Sequence, residues 1–219
     1  MNEDEPSELG SGSVKRLMDA VDSYVKQPIR LKDNPFLMSV EGIFLATGRG
    51  TVLTGKVETG IINIGDHLEL VGGRNTLGTV CLGLEMFRKS LDFAEVGDNV
   101  GVLIRGIKRD EARRGFVLAA PSSIYPFIIF IAKIYVLTKK EGGRHKSFQS
   151  NYKPQFFFRT ANITGTIALP EEIPVIMPGD SAHVQVTLVE KAPLNIGLRF
   201  IMREGNITIG AGIITELKD

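Results

Sequence analysis

Three segments of this chain repeat one small pattern: "NIGDHLEL" (63–70), "EVGDNVGVLI" (95–104) and "MPGDSAHVQVTL" (177–188). Each sets Gly-Asp at a sharp reversal and then alternates apolar with other residues. Glycine supplies the positive φ of a tight turn, and aspartate bonds a neighbouring backbone group. The pair is therefore turn chemistry and not a catalytic carboxylate. The alternation that follows buries one face of a strand. Such units run with glycine punctuation from Phe36 onward, which predicts an all-β fold of short strands. Short strands leave exposed edges unless their sheet closes. Two consecutive antiparallel β-barrels are expected, divided in "AAPSSIYP" between Pro121 and Pro126.

One segment reads as a helix. In "SVKRLMDAVDSYV", Val14, Leu17, Met18, Val21 and Val25 recur at helical spacing, Ser13 is placed to cap the start, and Pro28 follows the end. "KQPIRLKDNP" then reads as a linker. The chain has 219 residues, room for two domains of ordinary size, and its 43% hydrophobic content is that of a core-forming protein. A net charge of +1 gives no global signature for nucleic acid, so any such binding must use local patches. The single Cys81 excludes an internal disulfide and fits a reducing compartment. His67, His145 and His183 have no ligand spacing, so no metal is expected. "FIIFIA" is too short to cross a bilayer, which takes about 20 residues, and no membrane partner is expected. The polar, acidic "MNEDEPSELGSGS" is neither a signal nor a transit peptide.

"TGRGTVLTGKVETG" (47–60) holds Gly50, four residues, then Gly55-Lys56, most of a phosphate-binding loop. Such a loop needs Ser or Thr directly after the lysine to bind magnesium, and a helix beginning there. Val57 follows instead, and the sequence continues as turns and short strands. The stretch reads as a kinked barrel strand, with Gly48, Gly50, Gly55 and Gly60 at bends or bulges.

No nucleophile, base and orienting group stand out together, and Glu171-Glu172 between Pro170 and Pro174 reads as a solvated turn. No catalytic residue is assigned. Two basic segments are more suggestive of binding. "RGIKRDEARRG" carries Arg105, Lys108, Arg109, Arg113 and Arg114. "GGRHKSFQSNYKPQFFFR" carries Arg144, Lys146, Lys153 and Arg159 with no acid, interleaved with Phe148, Tyr152 and Phe156 to Phe158. The cations suit phosphates, while the aromatics suit either base stacking or a core.

The strings "GRGTVLTGKVETG", "LEMFRKSLDFAEVGDNVGVLIRGIKR", "EGGRH", "PQFFFRT", "MPGD" and "GLRFIMREGNITIGAGI" together resemble elongation factor Tu, the translational GTPase family that delivers aminoacyl-tRNA to the ribosome. The resemblance runs from about Val14 to the C-terminus. It implies a terminal GTPase-domain helix and linker over 1–30, β-barrel domain 2 over 31–121 and β-barrel domain 3 over 122–219. It also implies that most of the GTPase domain is missing, so GTP and Mg belong to the intact family protein and this chain holds no cofactor and is not itself an enzyme. Implied partners are aminoacyl-tRNA, the ribosome, the GTPase domain of the same protein and an exchange factor of the elongation factor Ts type. The closest likeness is to organellar members, which implies a mitochondrial matrix location, with plastid or bacterial cytoplasm as alternatives.

By the same resemblance, Ala46, Val52, Glu85, Phe87, Asn99 and Leu103 would hold the tRNA 3′ end and aminoacyl group. Arg114 would meet the 5′ end. Arg144, His145, Tyr152, Thr164, Arg203 and Gly205 would grip the T-stem. Gly48, Arg49 and Gly50 would face the GTPase domain and ribosome. Arginines and backbone amides hold phosphates without reading sequence, which suits a carrier of many tRNAs. The chain departs from the family pattern at Gly42, where an acid is usual, at Glu190, where a base is common beside Lys191, and in the apolar "IYPFIIFIAKIY". That run allows altered packing, an added partner surface or an aggregation-prone strand. The alternative to tRNA delivery is a barrel scaffold kept as a protein-interaction module.

Overall fold

The structure, a computed structural model, describes residues 10–26, 30–46, 48–73 and 75–218. It divides into two units, Met1–Arg30 and Leu31–Asp219. The first holds helix α1 (Ser11–Tyr24), whose N-cap is Gly10. The helix therefore starts before the expected cap. Ser13 lies inside its first turn and its hydroxyl donates to the Gly10 carbonyl at 2.7 Å. Val14, Leu17, Met18 and Val21 form the expected stripe, and all are exposed. Pro28 falls outside the described residues.

In the second unit the first sheet comprises β1 (Leu37–Ala46), β2 (Gly50–Thr59), β4 (His67–Val71), β5 (Leu77–Met86), β6 (Lys89–Leu91), β8 (Asn99–Ile104) and β9 (Val117–Ala119), with β3 (Ile61–Asn63) and β7 (Phe93–Glu95) paired separately. Its order is β4-β9-β1-β2-β8-β5-β6, and pairing of β4 with β5 closes it into a ring. Inside lie Met38, Val40, Leu53, Val57, Leu70, Val102 and Ile104, alternate residues of their strands. The phosphate-loop lookalike is β2, with Val57 in the core and Lys56 outside. Of the glycines expected at bends or bulges, Gly48 and Gly60 take φ of 73° and 74°, and Gly55 is registered with Val40 at a bulge. A Cβ there would stand 1.8 Å from the Ser39 carbonyl oxygen, so the glycine allows two backbones to cross. That bulge has its extra residue, Glu41, on the partner strand, and a second register shift between Leu37 and Met38 leaves Glu58 as the extra residue of β2.

The second sheet is a closed barrel of order β10-β13-β12-β11-β14-β15. Its strands are β10 (Tyr125–Val136), β11 (Gln155–Phe158), β12 (Ala161–Ala168), β13 (Ser181–Leu194), β14 (Arg199–Glu204) and β15 (Ile207–Lys218). Phe130, Phe156, Phe158 and Phe200 fill its centre. The apolar run lies in β10. Phe130 points inward, Phe127 and Ile128 pack against the core from its margin, and Ile129 and Ile131 face outward opposite Thr187 and Gln185. Most of the run is thus packing. Pro126, expected at a break between domains, is inside β10 opposite Pro193. The registered pairing of β10 with β15 runs from Ile129 and Lys218 onward, so Pro126 lies outside that ladder, where a missing N–H is tolerated.

All three Gly-Asp turns form as read. Gly65, Gly97 and Gly179 take φ of 96°, 104° and 100°, and the following aspartate accepts the amide three residues back: Asn63, Glu95 and Met177 at 2.7, 2.9 and 2.8 Å. Arg159 and Thr160 of the second barrel carry the side-chain hydrogen bonds that join it to the first, and the Gly115 amide donates to Thr160 Oγ1 at 3.2 Å. Arg159 donates from Nε to Glu58 Oε2 (2.9 Å), from Nη1 to the Pro193 carbonyl (2.9 Å) and from Nη2 to Asn195 Oδ1 (2.6 Å). Ser39 donates to the other oxygen of Glu58, and Thr160 donates to the Val40 carbonyl at 2.7 Å.

Candidate nucleic-acid interface

The basic segment 142–153 crosses one end of the second barrel and builds a stacked platform. Phe148, itself buried, and Tyr152 lie face to face at 4.7 Å and 27°. The Arg144 guanidinium covers both rings, 4.7 Å from the Tyr152 centroid and 5.6 Å from that of Phe148. Its Nε donates to the Lys146 carbonyl at 2.6 Å, which locks the side chain across its own loop. Glu204, at the end of β14, sits 3.5 Å from Arg144 Nη1 and ties this loop to the strand that carries Arg203. Arg203 lies over Phe157 at 5.5 Å and donates to the Asn206 carbonyl at 3.0 Å.

Three side-chain atoms on this surface are buried without a hydrogen-bond partner among the described residues: Arg144 Nη1, Tyr152 Oη and Arg203 Nε. Burial, then the nearby Glu204 carboxylate, push the Tyr152 hydroxyl up to about 12. A tyrosine raised in this way stabilises the fold fully below its ordinary value of 10.0, and the contribution is lost as pH climbs through about 12. Alkaline titration of tyrosinate absorbance should therefore show a late step that disappears in Tyr152→Phe. An unchanged curve in that variant would refute the assignment.

Thr164, Gln155 and Arg203 form a row across β12, β11 and β14, with Gln155 registered to both. His145 is exposed beside Arg144, and Gly205 takes φ 57° in the exposed β14–β15 turn. Neither Gln155 nor Glu204 was named from the sequence. The alternation of "PQFFFR" could have found Gln155, because buried Phe156 and Phe158 turn Gln155 and Phe157 outward.

On the first barrel, Ala46, Val52, Glu85, Phe87 and Asn99 line one cleft of about 480 Å³. Leu103 is outside the lining, paired with Val52 on the adjacent strand. The bulge in β1 brings in Glu41, which faces the cleft with Phe44 and Leu45. Phe87 is 87% exposed at the β5–β6 turn, where it and Arg88 take φ of 51° and 63°. Gly48, Arg49 and Gly50 shape the β1–β2 connection next to Ala46, and Arg49 donates its amide to the Ala46 carbonyl at 2.8 Å. A third cleft, of about 540 Å³, lies between the barrels and gathers Arg113, Arg114 and Lys191 with Asn162 and Glu190. The Glu190 departure thus faces the same space as Arg114.

Among the described residues no group of His, Cys, Asp and Glu could hold a metal ion, and no helix is long and apolar enough to cross a membrane. What the surface offers is cations held by stacking and by backbone carbonyls. Residues 50–119 match the family described as elongation factor Tu domain 2, and residues 123–218 match the one described as elongation factor Tu C-terminal domain.

Proposed function

The chain belongs to the elongation factor Tu family, and from that membership we propose that it binds aminoacyl-tRNA, acceptor end on the first barrel and T-stem on the second, for GTP-dependent delivery to the ribosome. Residues 50–218 are an elongation-factor-type C-terminal part, and the family is a GTPase family. In this reading the chain supplies binding, and nucleotide hydrolysis belongs to the GTPase domain of the intact protein.

One observation carries the reading. Arg144 Nη1, Tyr152 Oη and Arg203 Nε, on three of the residues named for the T-stem, are buried without a hydrogen bond among the described residues, and Glu204 stands 3.5 Å from the first as an ion-pair partner. A buried polar group without a partner costs about 1–3 kcal/mol. A polyanion on the platform, met by the two guanidinium groups turning outward, would give Arg203 Nε an acceptor and replace the long Glu204 pair of Arg144, since each arginine can donate to a phosphate oxygen. The cleft at Glu85 suits a terminal nucleoside: a carboxylate accepts hydroxyl or amino donors, and Ala46, Val52 and Phe87 present apolar surface. Where the two barrels meet, Arg113, Arg114 and Lys191 share a cleft with Asp110, Glu111 and Glu190, so phosphate contact there would rest on single arginines and not on a positive patch.

Fluorescence anisotropy with labelled aminoacyl-tRNA at several salt concentrations tests this. Weak, salt-sensitive binding is expected, and Arg144→Ala or Arg203→Ala should each weaken it about tenfold and lower the salt slope by about one. Tight binding insensitive to salt, or unchanged binding in both variants, would overturn the proposal.

A further inference from the structure

The turn between β11 and β12 ends in a hydroxyl that meets the first barrel at two points. Thr160 Oγ1 donates to the Val40 carbonyl at 2.7 Å and accepts from the Gly115 amide at 3.2 Å. That amide also stands 3.3 Å from the Val40 carbonyl, so the three atoms close a small triangle of hydrogen bonds. Gly115 is buried at φ 99°, and a Cβ there would stand 2.9 Å from Ala161, so only glycine fits this approach. Val40 is pinned from its other side as well, its amide donating to the Phe116 carbonyl at 2.9 Å. Thr160 itself follows Arg159, whose φ of 46° is uncommon outside glycine and is held by its three hydrogen bonds.

Each corner of the triangle adjoins a different part of the candidate interface. Val40 precedes Glu41, the extra residue of the β1 bulge, which lines the first-barrel cleft. Gly115 follows Arg114, which lines the cleft between the barrels. Thr160 leads into β12, which carries Thr164 in the row with Gln155 and Arg203. Glu41 and Arg114 are both exposed, so the backbone that carries them sets their place.

We propose that Thr160 is a positioning residue for the acceptor arm: by joining Val40 to Gly115 it fixes the spacing between Glu41, at the 3′-end cleft, and Arg114, which meets the 5′ end. The proposal rests on the tRNA reading above. The two ends of an acceptor arm are held together in one stiff duplex, and any ordering needed to match their spacing subtracts from affinity. A hydroxyl suits the corner because it donates to a carbonyl and accepts from an amide at once. Serine can make both bonds, while valine, of nearly the same shape as threonine, can make neither.

The full chain, Thr160→Val and Thr160→Ser are titrated with labelled aminoacyl-tRNA by anisotropy, once urea denaturation has shown each to be folded. Thr160→Val is expected to bind about fivefold more weakly, and Thr160→Ser within about twofold of the parent. In the background Glu41→Ala with Arg114→Ala, the valine should add less than about twofold, because the groups it spaces are gone. A merely structural loss would persist there. The amide resonances of Glu41 and Gly115 should move in the valine variant and return in the serine. Should Thr160→Val fail to fold, Thr160→Cys, near in size but a weak donor and acceptor, takes its place with the same expectations. A parent chain without salt-sensitive binding defeats the tRNA reading and this proposal with it. Parent binding that Thr160→Val or Thr160→Cys leaves unchanged, or a loss of equal size in the double background, overturns the proposal alone.

Discussion

Phe130→Ala is expected to lower stability by about 3–5 kcal/mol, the range for removing a large aromatic from a packed core. Phe130 is fully buried and stands edge-on to three other rings, with centroids 6.1 Å from Phe156, 5.6 Å from Phe158 and 5.8 Å from Phe200. These edge-to-face contacts each add about 0.5–1.5 kcal/mol beyond burial. The barrel is closed, so its strands cannot move independently to fill the space left by the ring. Urea denaturation gives the measurement. Each kcal/mol corresponds to roughly 2–4 °C in a chain of this size, so thermal melting should fall by about 10 °C. A loss below about 1 kcal/mol would mean that the aromatic cluster is not what holds the second barrel together.

The second large effect is expected at the joint between barrels. Arg159→Ala removes one hydrogen bond across the joint, to Glu58, and two within the second barrel, to Pro193 and Asn195, and leaves the Glu58 carboxylate at the interface with Ser39 as its remaining partner. Breaking a buried pair costs about 3–5 kcal/mol. The Arg159 side chain is 9% exposed and that of Glu58 32%, so partial solvation of the acid places the expected loss at the low end, about 3 kcal/mol. Calorimetry should then resolve two transitions, one per barrel, where a single transition is expected for the parent protein. Arg159→Lys should not restore coupling, because an ammonium lacks the planar fork that reaches three acceptors lying in different directions. A single transition in Arg159→Ala, with a loss under about 1 kcal/mol, would show that the Thr160 bonds to Val40 and Gly115 suffice to couple the barrels.

The features legible in the sequence are those whose chemistry is complete within a few residues. A Gly-Asp turn needs a positive φ and a carboxylate three residues beyond the amide it accepts, and all three occurrences formed that way. Strand alternation sorted Phe156 and Phe158 into the core, and the helical stripe of Val14, Leu17 and Met18 likewise needs only local spacing. Ser13 was misjudged because the helix gains a turn upstream that no apolar residue announces. The joint was invisible, since Arg159 and Glu58 lie 101 residues apart and Thr160 and Val40 lie 120 apart. The bulge that turns Glu41 into the first-barrel cleft is a property of two strands, not of one string. The gathering of Ala46, Val52, Glu85, Phe87 and Asn99 at that cleft was expected from family resemblance alone, for no spacing rule links residues on four strands and a turn.

A sheet that closes on itself offers no lane for an incoming strand, so docking by β-augmentation is denied along nearly all of the second barrel. Two stretches lie outside the registered closure: Ala161 to Thr164 of β12, which pair with β11 and not with β13, and the start of β10, ahead of its registered pairing with β15 from Ile129 and Lys218. Pro126 occupies the second and withholds the amide a visitor would need. Along the closed part, recognition therefore falls to side chains and turns, which can be exchanged one at a time without disturbing the hydrogen-bond ladder beneath them.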